Sequence, residues 1–319
     1  MTAALTYEGV CKRFGRRTAL DGLSLSVPAG AIYGLVGSNG AGKTTALAVA
    51  GGLLRIQAGR VDVLQSGPFH ADRHAGRITL LPQDAALPPE ARPLDLLCFY
   101  AELQGVPAAE ARRQAWSLLE HMHLADRARS AVRTLSHGMR KRVMVAQCFL
   151  GTPELVLLDE PLSGLDPREV VRLREFLAAR RGQMTLVISS HNLHEIELLC
   201  DHVGFMEHGR CTREDTLDRV TGRSAVMVYQ LAAGPPPPVE TFAATLAGAD
   251  LQYDPATRRL ICRCRQPGPD PATVNGHVLP WLLQAGCGVV EVRQGGRLEE
   301  EYLRSAESGP RGQGFKVSG

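Results

Sequence analysis

Between an apolar run that ends at Val36 and a helical pattern that begins at Lys43, the chain carries Gly37-Ser38-Asn39-Gly40-Ala41-Gly42-Lys43-Thr44-Thr45. The stretch fits the pattern GxxxxGK followed by threonine, and no other feature limits the possible folds as tightly. Its glycines let backbone N–H groups curl around phosphate oxygens, and the start of the next helix adds positive potential. Lys43 can reach the terminal phosphates, and the Thr44 hydroxyl can ligate a divalent cation such as Mg²⁺. A chance match in a chain of 319 residues is on the order of 1%. Only four of the 36 basic residues are lysine, so composition alone does not place one here.

Strand-like and helix-like segments alternate around this loop. Short strands are predicted at 4–8, 23–27, 31–36 and 78–81, and apolar runs at 154–158 and 185–189 read as buried parallel strands. Helices are predicted over 43–54, across 93–122 with Pro107 in a first turn, for about a dozen residues from Ser136, and over 168–181. The implied fold class is α/β with a covered parallel sheet. Leu155 to Glu160 is an apolar strand closed by two acids. Asp159 can hold a metal shell, and Glu160 can polarise an attacking water.

These residues resemble the ATP-binding subunits of ABC transporters over about residues 4–215. Leu135-Ser136-His137-Gly138-Met139 resembles the signature motif and Ser163-Gly164-Leu165-Asp166 the D-loop. Ser190-His191 is similar to the switch histidine, Gln83 to the Q-loop glutamine, and Phe14 to the aromatic that stacks on adenine. The resemblance implies ATP and Mg²⁺ as ligands. Phe14 and Gly37, Ser38, Asn39, Gly40, Ala41, Gly42, Lys43, Thr44 and Thr45 would bind nucleotide, with Thr44, Gln83 and Asp159 at the metal. Glu160, His191, Gln83 and Asp166 would serve catalysis. Ser136 and Gly138 would meet the γ-phosphate held by an opposite subunit. Partners follow: a second ATPase subunit, identical or paralogous, and a separate transmembrane permease, with the chain peripheral at the cytoplasmic face.

The chain departs from the family's LSGGQ at His137 and Met139; Met139 fits the drug- and sodium-exporter type. The resemblance leaves open a non-transport ABC ATPase, or a regulatory subunit that hydrolyses weakly because of His137. The triplet Arg140–Arg142 reads as a solvated or phosphate-facing surface. A net charge of +3 does not call for nucleic acid.

Residues 1–222 form the expected ATPase domain, a P-loop nucleotide hydrolase with an inserted helical subdomain at about 84–150. After Gly222 the pattern changes, and Gly234 followed by Pro235–Pro238 is a stiff break. A small α+β domain is expected over 223–307, with strands near 225–231, 249–253, 258–265 and 288–293. Helices are expected at 239–247, 271–285 and 298–306, the last resembling an exporter-type LEDVFL ending at Leu298–Leu303. Residues 308–319 read as a flexible tail. Cys262 and Cys264 fall on one side of a strand and read as packed, reduced thiols. No run of about 18 apolar residues suggests a membrane span.

Overall fold

Two long strands, β1 (Ala3–Phe14) and β2 (Arg17–Pro28), open the chain as an antiparallel hairpin that turns at Gly15, whose φ is +56°. Both run well beyond the predicted 4–8 and 23–27, because pairing across the hairpin carries them through polar residues. Phe14 and Arg17 face each other at the tip. β4 (Ala58–Val63) completes this three-stranded sheet in the order β2-β1-β4. Sequence reading misses β4, whose first half, Ala58-Gly59-Arg60, is exposed and carries no β-branched or alternating apolar pattern.

β3 (Ile32–Val36), β6 (Leu155–Asp159) and β7 (Thr185–Ser190) are buried at every residue, as near-continuous apolar runs should be in a covered parallel sheet. With β5 (Ile78–Leu81), β8 (His202–Glu207) and β9 (Arg210–Thr216) they form a six-stranded sheet in the order β5-β6-β7-β3-β8-β9. The pairs from β5 to β8 run parallel. The C-terminal ends of β3, β6 and β7 therefore open on one edge, where ligands bind in open α/β sheets. Leu5, Tyr7, Leu23 and Val61 of the first sheet share a core with Leu35, Leu47, Leu157 and Val187.

The helices begin and stop for local reasons. α1 (Lys43–Ala50) ends short of the predicted Leu54 because Gly51 and Gly52 follow; Gly52 has φ +75°. A four-residue turn, α2 (Ala71–His74), precedes β5. α3 (Pro93–Leu103) and α4 (Ala108–His121) split the 93–122 helical pattern at Pro107, which stands just before α4. α5 (His137–Gln147) is capped by Ser136, whose side chain accepts from Met139 N–H at 3.1 Å. α6 (Pro167–Ala178) is capped by Asp166, and α7 (Leu193–Leu199) by Asn192.

The computed structural model describes residues 2–222, 226–239, 249–264, 271–295 and Leu298. The predicted helices at 239–247 and 298–306, apart from Val239 and Leu298, and the tail from Ser308 lie outside these residues. The chain divides into two units, Met1–Glu214 and Asp215–Gly319. The second begins with α8 (Leu217–Thr221). It contains β10 (Val226–Leu231), β11 (Ala249–Asp254), β12 (Arg259–Cys264) and β13 (Val289–Gln294), in the antiparallel order β11-β12-β10-β13. Val274, Val278 and Leu282 of α9 (Pro271–Gln284) share its core with Tyr229, Leu260 and Cys262. Cys264 packs against the same core, and all eight cysteines are free. No described helix is long and apolar enough to cross a membrane.

Candidate functional site

The loop after β3 owes its shape to its glycines. A Cβ on Gly37 would overlap the Met206 carbonyl. One on Gly42, at φ +108°, would lie 2.6 Å from the Ala19 carbonyl oxygen. Only glycine tolerates both the conformation and the approach. Lys43 starts α1 just beyond, and its side chain folds back so that Nζ donates to Gly37 O at 2.7 Å and Ser38 O at 3.3 Å. Nζ also lies 3.8 Å from Glu160 Oε1, with both side chains under one-tenth exposed. Burial pushes the Lys43 ammonium below its usual pKa, while Glu160 and then Asp159 push it back up.

The two acids are held by β7. Ser189 donates its hydroxyl to Asp159 Oδ1 and accepts from Glu160 N–H at 3.0 Å. Asp159 Oδ2 is buried and has no hydrogen-bond partner among the described residues. Glu160 adopts φ +48°, a left-handed conformation that non-glycine residues avoid. It is fixed there from several sides: Ser189 at its N–H, Lys43 beside its carboxylate, and His191 Nδ1 at 3.0 Å from both carboxylate oxygens. Strain of this kind persists where the surroundings over-determine it, as active sites do. His191 sits between the end of β7 and the Asn192 cap of α7.

These elements border a cavity of about 420 Å³ lined by Phe14, Arg17, Ala19, Ser38–Thr45, Gln83, Asp159 and Glu160. Phe14 is half exposed at the β1 tip, with Lys12 Nζ 5.1 Å above its ring. Gln83 enters two residues after β5. Gly37 and His191 do not line the cavity; Gly37 packs against Met206, and His191 reaches it through Glu160.

Ser136, Gly138 and Asp166 stand apart from the cavity but close to one another. Ser136 caps α5, and Gly138 sits in its first turn against the Glu169 carboxylate. Glu169 N–H is in turn capped by Asp166 Oδ1 at 3.0 Å. Arg142 Nη2 holds Glu169 Oε1 at 2.9 Å, and its Nη1 donates to Met122 O. His137 Nε2 lies 3.2 Å from where a Gly164 Cβ would be. The basic triplet is thus not the solvated surface its sequence suggests: Lys141 and Arg142 are buried, and Arg140 Nη1 donates to Leu135 O at 2.7 Å. Because Glu169 is tied to a buried arginine, it cannot yield to a larger residue at 138. Gly138→Ala is expected to lower folding stability by about 1–3 kcal/mol, measurable by denaturant titration.

Sequence reading overlooks Arg17, Ala19 and Ser189. Arg17 follows a second arginine two residues after Phe14, a cue to a phosphate-facing loop once Phe14 is placed. Ser189 closes an apolar run, and a hydroxyl ending a buried strand beside an acidic one is the available signal.

A strand–loop–helix phosphate cradle, with a second strand ending in two acids, defines a P-loop nucleotide-binding domain. The ABC transporter family model matches residues 20–163. A Nod factor export ATP-binding protein I of Ralstonia nicotianae is 33% identical over 313 residues, covering 95% of this chain and 94% of its own. A daunorubicin resistance ATP-binding protein of Streptomyces coeruleorubidus is 38% identical over 237 residues, covering 72% and 75%. Among solved structures, an ATP-binding subunit of an ABC transporter superposes with a TM-score of 0.62 at 26% identity, over 70% of this chain and 93% of that one. A dimeric ATP-binding cassette in a post-hydrolysis state with ADP and Pi shares the fold, with a TM-score of 0.61 at 21% identity over 67% and 98%. The chain belongs to the ATP-binding subunits of the ABC transporter family, and it is an ATPase.

Proposed function

We propose that two such subunits, identical or paralogous, pair head to tail around two ATP molecules and drive export through a separate membrane permease. One observation carries this reading. Phe14, Ser38–Thr45, Gln83, Asp159 and Glu160 line one cavity, while Ser136 and Gly138, at a helix N-terminus suited to an anion, lie outside it. Each copy then supplies most of one site and the missing edge of the other. The exporter names of the relatives, Met139 and the C-terminal unit support the direction of transport.

In this reading Phe14 stacks on the adenine and the loop from Ser38 to Thr45 cradles the phosphates. Glu160 accepts a proton from the attacking water, whose oxygen bonds to the γ-phosphorus as ADP leaves. His191 orients the Glu160 carboxylate and reads the presence of the γ-phosphate. Mg²⁺ fits the residues present, since Asp159 Oδ2 is a buried acceptor with no donor among the described residues and the exposed Thr44 lines the same cavity. Thr44, Gln83 and Asp159 would hold the ion, which neutralises phosphate charge when bound. Asp166 keeps the loop after Glu160 in place by capping α6. His137, packed by Gly164 where the family has glycine, favours a second reading in which hydrolysis is slow.

A groove of about 400 Å³ between β5 and α3, lined by Thr79, Leu80, Tyr100, Leu103 and Gln104, offers the permease a seat. Phe99 and Leu103 on α3 are 56% and 68% exposed, more than an apolar pair should be without a partner. Thr79 and Leu80 of β5 line the groove and Gln83 follows that strand by two residues, so nucleotide state can reach it. The test is to look for a multi-helix membrane protein among the neighbouring genes, co-purify it with this chain, and measure phosphate release with and without it in liposomes. Association with altered ATPase is expected. Phe99→Ser with Leu103→Ser should abolish the association and leave basal turnover intact. No association and no effect on turnover would point to a non-transport ATPase.

A further inference from the structure

Two cations and two carboxylates line the nucleotide cavity: Arg17, Lys43, Asp159 and Glu160. Lys43 Nζ lies 3.8 Å from Glu160 Oε1 and donates to Gly37 O, and Asp159 accepts from the Ser189 hydroxyl. Arg17 has no such partner: among the described residues its guanidinium makes neither a hydrogen bond nor an ion pair. The one acid on its own strand, Asp21, is taken by Arg210, whose Nη2 donates to Asp21 Oδ2 at 2.7 Å. The guanidinium nevertheless has a defined place, because β2 runs along the phosphate loop. Ala19 O and Leu20 Cδ2 come within 2.6 and 3.1 Å of where a Gly42 Cβ would be, and Arg17 Nη2 within 3.3 Å of the same point on Gly40. Across the hairpin turn Arg17 pairs with Phe14.

We propose that Arg17 is a nucleotide-binding residue, a guanidinium that grips the α- and β-phosphates from the hairpin side while Lys43 serves the terminal phosphate. The loop from Gly37 to Thr45 contains no acid, and its N–H groups together with the start of α1 already favour an anion. A second positive group beside such a loop finds its counter-charge in a phosphate, not in the protein. The order of groups along the cavity sets which phosphates it meets. Phe14, opposite Arg17 at the hairpin tip, takes the base, and Lys43, tied to Gly37 O and Ser38 O, takes the last phosphate. Arg17 stands between these duties, attached to the tip and leaning on Gly40. Arginine suits the place better than lysine, because its planar fork can hold two phosphate oxygens at once. The inference rests on the reading of this cavity as the nucleotide site and of Phe14 as the adenine platform.

The test titrates fluorescent analogues of ATP and ADP into the full chain and into Arg17→Met, Arg17→Lys, Arg16→Met and Lys43→Ala, with phosphate release measured alongside. Arg17→Met should raise Kd about tenfold for ATP and ADP alike, because both carry the α- and β-phosphates. KM should rise in step, while kcat at saturating ATP stays within about threefold. Arg17→Lys should restore part of the affinity. Arg16→Met removes the neighbouring exposed arginine, which does not line the cavity, and should bind within about twofold of the wild type. Raising salt from about 50 mM to about 500 mM should weaken binding to the wild type more than to Arg17→Met. Wild-type affinity in Arg17→Met overturns the proposal. So does a loss for ATP that spares ADP, an equal loss in Arg16→Met, an unchanged salt dependence, or a lysine variant no better than the methionine one. Normal nucleotide binding in Lys43→Ala would remove the cavity reading and this inference together; a Lys43→Ala that fails to bind beside a normal Arg17→Met removes only the inference.

Discussion

Glu160→Gln is expected to stop turnover while leaving ATP bound. The amide keeps the shape of the carboxylate and can still bond to His191 Nδ1, now 3.0 Å from both oxygens. It cannot take a proton from water. Loss of a general base lowers rate by roughly 10²–10⁴-fold. The Lys43 hydrogen bonds to Gly37 O and Ser38 O do not involve Glu160, so nucleotide affinity should persist. With binding intact and hydrolysis blocked, paired subunits should accumulate around uncleaved ATP. Size-exclusion chromatography with ATP should show a stable dimer, and phosphate release should be near background. Normal turnover in this variant would falsify the assignment.

Lys43→Ala should have an effect of similar size at an earlier step. Lys43 is the buried cation at the cavity wall, and it ties the loop carbonyls to the acidic pair. Its removal takes away the positive charge available to the terminal phosphates and leaves Glu160 with the exposed His191 as its nearest basic partner. Removing a hydrogen bond to a charged group, with nothing in its place, costs about 1.5–3 kcal/mol, roughly 10- to 150-fold in affinity. Fluorescent-nucleotide titration should therefore show binding weakened at least tenfold, with turnover abolished. The separation from Glu160→Gln is the informative part: one variant binds without cleaving, and the other fails to bind.

What is legible in the sequence depends on how far apart the interacting residues lie. The phosphate loop is local: strand, glycines, lysine and helix follow one another within the nineteen residues from Ile32 to Ala50. The acids closing β6 are readable for the same reason, as an apolar run ending in charge. Phe14 and Gln83 can be placed only by resemblance, because a β-hairpin tip and a loop after an edge strand carry no local chemical signature. The Ser189 bridge to Asp159 and Glu160 spans about thirty residues and depends on β6 and β7 being neighbours. Lys141 reads as surface because a basic triplet on a helix usually is one, and only the packing of α5 into the interior decides otherwise. β1 and β2 exceed their predicted lengths because cross-strand pairing, not side-chain pattern, extends them.

The separation of Ser136 and Gly138 from the cavity has a consequence for abundance. An enzyme whose active centre is shared between two chains has a rate that depends on encounter as well as on chemistry. When subunits are scarce, activity rises with the square of their number, and below the association threshold ATP is not spent. A defective copy is then not a silent passenger: each one that pairs removes a working chain, so a minority of damaged subunits lowers output out of proportion to its numbers. Holding two subunits side by side, as a membrane partner would, raises their local concentration and turns a dilute, idle ATPase into an active one only where there is something to move.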